Sequence, residues 1–197
     1  MTALLVWMLA AAPEPLVEVP ARIPNVVVEL KYATSDNFMK KQVYPAGAKC
    51  LVLERTLKVL AAAAERLQAQ GFRLKMYDCY RPHSAQVELW NESPRPGYVM
   101  DPKKGSNHSR GTAVDVTLVT LDGGEVEMPS PYDFFGQAAH HRYSGGSAEA
   151  REHRNILKEA MVEAGFKPNP LEWWHYELLD AWHAPVRDEP LTRPKNP

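Results

Sequence analysis

Cysteine is scarce: the 197 residues hold two, Cys50 and Cys79. Two thiols cannot build a disulfide scaffold, and without a Cys-x-x-Cys there is neither a zinc ribbon nor a dithiol redox motif. A dominant charge sign is missing too. Lys plus Arg total 23 against 24 Asp plus Glu, a net charge of −1, so no basic field draws nucleic acid or an anionic membrane. No apolar run reaches the ~20 residues of a bilayer-spanning helix, and neither a Gly-rich phosphate loop nor an internal repeat is present. With 45% hydrophobic and 24% charged residues, the chain is not disordered, collagen-like or polytopic.

The composition and length fit one globular domain, read from about Val17 to Pro185. Proline is the surplus residue, 17 in all, which predicts rigid, extended connections and a Pro-rich tail over residues 186–197 that is extended and frayed. Residues Ala3 to Ala12 (ALLVWMLAAA) fit the core of a secretory signal with an Ala-x-Ala cleavage site after Ala12. No Lys or Arg precedes the run, and a buried or disordered N-terminal segment is the other reading. Export implies a periplasmic or secreted protein, and retention a cytoplasmic one. In an oxidising compartment Cys50, opening a helix, and Cys79, ending the next strand, are expected to pair; two buried free thiols are the alternative.

Leucine and alanine enrichment predicts a helix over Leu51–Gln70, closed by Gly71. Alternation in Phe72–Asp78 predicts a half-buried strand, broken by Arg81-Pro82, with a short helix after it through Ala85–Trp90. Thr112–Leu121 reads as a β-branched strand, turned at Asp122-Gly123-Gly124 into a partner over Glu125–Met128. A second long helix over Ser147–Ala164 takes Ser147 as N-cap and Gly165 as C-cap. Glu172–Leu179 is an aromatic-rich strand. Helices with an antiparallel hairpin sheet make the fold class α+β.

Three segments carry chemistry. In Ser106-Asn107-His108-Ser109-Arg110-Gly111-Thr112-Ala113-Val114-Asp115, Asp115 lies within a strand between two valines, where its charge must be satisfied. A metal ion is one solution and an arginine partner the other. Glu172-Trp173-Trp174-His175 sets a carboxylate and an imidazole among tryptophans, a pairing suited to Zn²⁺; an aromatic core strand with one satisfied histidine is the plainer reading. On an ideal strand positions 172 and 175 face opposite ways, so Glu172 belongs to the approach loop or beside a bulge. Arg81, in Asp78-Cys79-Tyr80-Arg81-Pro82, is an always-charged group on a rigid turn, suited to a developing oxyanion; a salt bridge to Asp78 is the commoner use. His83, His140, His141, His153 and His183 read as structural or surface residues.

Together these segments, with Lys31-Tyr32-Ala33-Thr34-Ser35-Asp36-Asn37-Phe38 and Tyr132-Asp133-Phe134, resemble the D-alanyl-D-alanine dipeptidases, zinc peptidases of the VanX type, over roughly residues 25–180. The resemblance implies one Zn²⁺ per chain on His108, Asp115 and His175, with Glu172 as general base and Arg81 stabilising the tetrahedral intermediate. Tyr32, Ser106 and Asp133 would line the pocket of a small dipeptide substrate, Asp133 near its ammonium. It also implies hydrolysis of D-alanyl-D-alanine in cell-wall metabolism or glycopeptide resistance, and the small α+β zinc fold shared with related carboxypeptidases and hedgehog domains. Two departures stand out. Asn107 precedes the first histidine where the family often has Ser, and Pro129-Ser130-Pro131-Tyr132 replaces a Gly-containing stretch ending in Phe. The rival readings are a zinc D,D- or L,D-carboxypeptidase acting on stem peptides and a non-catalytic zinc-stabilised binding domain. Such a structural domain needs neither Glu172 nor Arg81.

Overall fold

The computed structural model describes residues 14–192; the signal expected over residues 1–12 and the last five residues of the tail lie outside that range. In chain order the elements are β1 (Leu16–Glu18), β2 (Val27–Val28), β3 (Leu51–Leu53), α1 (Glu54–Ala69), β4 (Phe72–Asp78), α2 (His83–Glu92), β5 (Ala113–Thr120), α3 (Ala148–Ala164), β6 (Phe166–Pro168) and β7 (His175–Leu178). A five-stranded sheet runs in the order β2-β4-β5-β7-β6, and β1 pairs with β3 apart from it. All its pairings are antiparallel except β2 with β4, which is parallel. The fold is α+β, as the mixture of helices and hairpin-like pairings implied.

β5 is the centre of the sheet and is buried on both faces over all but its last residue. Val114, Val116 and Leu118 join Leu60 and Leu67 of α1 and Leu157 and Met161 of α3 in the core; fully burying one such side chain is worth roughly 1.5–3 kcal/mol. The other face of β5, with Ala113, Asp115 and Thr117, is left for polar chemistry. α3 begins and ends where its caps place it. The Ser147 hydroxyl accepts from the Ala150 N–H at 2.9 Å, and Gly165 adopts the left-handed conformation.

Three expectations need correction. Leu51–Leu53 is strand, because its backbone pairs with Leu16–Glu18; Cys50 therefore opens a strand, and the helix starts at Glu54. Glu125–Met128 does not return as a strand. The turn forms, with Thr120 N–H bonded to Gly124 O, but only Val119 and Glu125 bridge. β4 runs along one edge of β5 and β7 covers the other only over Ala113–Asp115, so the far end of that edge carries this single bridge and the chain leaves it towards Pro129 and Pro131, which offer no N–H. Lastly, the chain after 185 does not fray up to residue 192. Arg187 N–H bonds to Ser109 O, Lys49 N–H bonds to Leu191 O, and Leu191 is buried.

Cys50 and Cys79 form a disulfide, closing a loop with a sequence separation of 29. Loop-closure entropy assigns such a bridge about 3–4 kcal/mol. Chemical denaturation with and without a reductant is expected to differ by that amount, and coincident curves would show that the bridge adds nothing to stability.

Candidate active site

The register of the sheet assembles the site. Asp115 on β5 sits directly opposite His175 on β7, so both side chains rise side by side from one face. On the other flank a bulge at Tyr77 lets Asp78, rather than Tyr77, pair with Asp115. His108 arrives from a single 3₁₀ turn, His108–Arg110, just ahead of β5. That turn reverses at Gly111 (φ 71°), where a Cβ would come within 2.9 Å of the Leu16 side chain and 3.3 Å of the Leu53 backbone nitrogen; only glycine passes here without strain.

Three donor atoms converge. His108 Nε2 lies 3.1 Å from His175 Nδ1 and 3.2 Å from Asp115 Oδ1, and His175 Nδ1 lies 3.0 Å from Asp115 Oδ1. Tetrahedral ligands at about 2.0–2.1 Å from a cation stand roughly 3.3 Å apart, so this triangle has the size of one face of such a site. The lone pairs are also aimed correctly. His108 Nδ1 donates to the Cys79 carbonyl at 2.8 Å, which leaves Nε2 as the acceptor. Asp115 Oδ2 accepts from the Tyr132 hydroxyl at 2.9 Å, leaving Oδ1 for the shared focus. His175 Nε2 faces Glu177 at 3.8 Å, and Asn107 holds Glu177 through a 2.7 Å bond.

Electrostatics favour positive charge at this point. Burial opposes ionisation of Asp115, but His108 and His175 outweigh it and hold the carboxyl well below the usual carboxylate range. Burial also works against a charged His175, yet Asp115 and Glu177 lift its imidazole to about 10. A centre that draws in protons so strongly fits a divalent cation, which competes for the same lone pairs. Among the described residues no other group of three His, Cys, Asp or Glu converges in this way. The remaining histidines stand apart: His141, for example, is buried away from carboxylates and pulled down to about 4 by burial, Lys158 and Arg154.

Glu172 lies in the turn before β7, which resolves the facing problem because the strand starts only at His175. The Asn169 side chain donates to Glu172 Oε2 at 2.6 Å. Burial pushes the Glu172 carboxyl up to about 7, with Asp115 acting in the same direction and His175 against it. Arg81 makes the expected pair with Asp78, through Nε at 3.0 Å and Nη2 at 2.6 Å, and a third bond from Nη1 to Gln86 at 2.7 Å. It is nevertheless no surface residue. It is 7% exposed, stacks its guanidinium over the Tyr32 ring at 4.9 Å and reaches within 4.0 Å of Asp115 Oδ2.

The substrate-side candidates fall in the same place. Tyr32 and Asp133 meet through a 3.4 Å hydroxyl–carboxylate contact, and Phe38 N–H donates to Asp133 Oδ2 at 3.2 Å. Asp133 is in the left-handed region (φ 57°), which aspartate tolerates better than most residues. Burial, then the charge of Asp115, push its carboxyl well above the usual range. Ser106 Oγ accepts from the His108 N–H at 3.2 Å, so its own proton is free to be given. A single cavity of about 450 Å³ is lined by all eight residues singled out in the sequence: Tyr32, Arg81, Ser106, His108, Asp115, Asp133, Glu172 and His175. Sequence reasoning gave no part to Tyr132, Asn169, Gln86 or the Cys79 carbonyl. Their partners lie 3 to 29 positions away along the chain, and no periodicity links them.

The profile of peptidase family M15, D-ala-D-ala dipeptidase, matches residues 13–193. The chain belongs to that family. Curated relatives include the D-alanyl-D-alanine dipeptidases of Escherichia coli K12, 37% identical over 87% of this chain and 88% of the relative, and of Enterococcus faecium, 38% identical over 77% and 85%. The Enterococcus faecalis enzyme of the same name is 35% identical over 77% and 85%. As a member of the D-ala-D-ala dipeptidase family the chain is a metal-dependent peptidase, and His108, Asp115 and His175 are its possible metal site. No described helix is long and apolar enough to cross a membrane.

Proposed function

We propose that this protein hydrolyses the D-alanyl-D-alanine dipeptide to free D-alanine, with one Zn²⁺ on His108, Asp115 and His175. The observation that carries the proposal is the convergence of those three donor atoms within 3.0–3.2 Å of one another, in the cavity that also holds Glu172 and Arg81. Relatives named for this activity cover most of the chain. Two neutral imidazoles and one carboxylate suit zinc, whose Lewis acidity polarises a carbonyl and lowers the pKa of water towards 7.

The protein's own groups do the rest. Glu172 takes a proton from the attacking water and returns it to the departing amine, a task that suits a carboxyl with a pKa near neutrality. Arg81 meets the negative charge that develops on the peptide oxygen. Asp78 and Gln86 bind its Nε, Nη1 and Nη2, so the guanidinium is in place before the charge appears. A free dipeptide is a zwitterion. Its ammonium supplies the countercharge that Asp133 lacks, and its carboxylate accepts the Ser106 hydroxyl proton.

The disulfide supports a second part of the proposal, that the protein works outside the cytoplasm, where such bridges persist. Release of D-alanine from D-alanyl-D-alanine, compared with release from a stem pentapeptide ending in the same two residues, tests the substrate. The dipeptide is expected to be cleaved at least tenfold more efficiently in kcat/KM. A preference for the pentapeptide would make the protein a carboxypeptidase.

A further inference from the structure

Asp115 is the donor with two claimants for its outer oxygen. Oδ1 belongs to the shared focus with His108 and His175, while Oδ2 accepts from the Tyr132 hydroxyl at 2.9 Å and has Arg81 Nη2 at 4.0 Å. Tyr132 is held for this contact. Its ring packs on Tyr77 and Trp174, with centroids 5.0 and 5.3 Å away. It sits between Pro131, which fixes the backbone, and Asp133, which takes the left-handed turn. It does not itself line the cavity; it meets the lining residues through its hydroxyl on Asp115 and through its ring beside Trp174 and Tyr32.

We propose that Tyr132 is a positioning residue that sets how Asp115 binds the metal. Its hydroxyl engages Oδ2, which biases Asp115 to offer Oδ1 alone to the cation and keeps the carboxylate from turning towards Arg81. Arg81 in turn stays with Asp78 and Gln86, facing the substrate. The inference rests on the metal site proposed above, and its test separates the two.

The test is Tyr132→Phe, which keeps the ring and removes one oxygen. Zinc affinity is measured by competition with a chelator, and kcat and KM for D-alanyl-D-alanine are measured at saturating zinc. The cobalt-substituted proteins are compared by visible absorption, which responds to coordination number. Zinc affinity is expected to fall 10- to 100-fold, the usual effect of losing an outer partner of a ligand. kcat falls with KM unchanged, and the cobalt bands weaken as Asp115 takes up a second bond. The control Tyr77→Phe, which leaves the Tyr132 hydroxyl in place, keeps wild-type zinc affinity. If Tyr132→Phe matches wild type in zinc affinity, cobalt spectrum and kcat, the hydroxyl is only a packing detail. If wild-type protein itself binds no zinc, the metal site falls and this inference with it.

Discussion

Glu172→Ala is expected to keep its zinc and lose nearly all hydrolysis, about 10²- to 10⁴-fold in kcat, the usual contribution of a positioned general base. The separation of the two effects follows from geometry. Glu172 stands outside the triangle of His108, Asp115 and His175, and its side-chain bond is to Asn169. Elemental analysis beside turnover measures both. More than a tenth of wild-type activity in this variant would remove Glu172 from the role of base. A stability effect accompanies the loss. Folding raises the Glu172 pKa from 4.5 to about 7 through burial, so the ionised carboxylate destabilises the cation-free fold at and above neutral pH. The penalty sets in as pH rises past 4.5 and is complete above about 7; a shift of that size corresponds to roughly 3 kcal/mol. Glu172→Gln measured with chelator present is therefore more stable than wild type at pH 8 and equal to it below pH 4.

His108→Ala is expected to lose the metal outright, and activity with it. The substitution removes one of three donors and also leaves the Cys79 carbonyl without its imidazole N–H. Losing an outer partner costs 10- to 100-fold in affinity; losing a ligand costs more, and a purified variant is expected to hold far less than one zinc per chain by elemental analysis. The disulfide and the core are untouched, so circular dichroism should remain native-like. Stoichiometric zinc in this variant would contradict the ligand set.

What could be read along the chain was what local chemistry decides. The Ser147 and Gly165 caps bound α3 because a hydroxyl and a left-handed glycine satisfy helix ends within a few residues. The Phe72–Asp78 strand was legible from alternation alone. Leu51–Leu53 was not, since it runs without a break into the Leu- and Ala-rich helix and its strand pairing is with Leu16–Glu18, some 35 positions away. The same limit applied to the site. Arg81, His108, Asp115, Glu172 and His175 stood in a local context with chemistry of its own, and Tyr32, Ser106 and Asp133 came from the family resemblance, but their common focus depends on register. The Tyr77 bulge brings Asp78 beside Asp115, and β7 begins only at His175, so that Glu172 is released into a turn. Strand alternation taken from the sequence had set Glu172 and His175 on opposite faces, and the boundary of β7 removed the conflict. Tyr132 stood in a matched segment but without a role, because nothing along the chain links a hydroxyl in a proline-rich loop to a carboxylate 17 residues earlier.

The central claim is that one cation, gripped by His108, Asp115 and His175, makes this cavity hydrolytic. Free D-alanine is followed from D-alanyl-D-alanine with the protein as purified, after treatment with a chelator, and after Zn²⁺ is restored in slight excess. Turnover is expected to disappear with the chelator and to return with about one zinc per chain. Undiminished D-alanine release from fully metal-stripped protein would contradict the account.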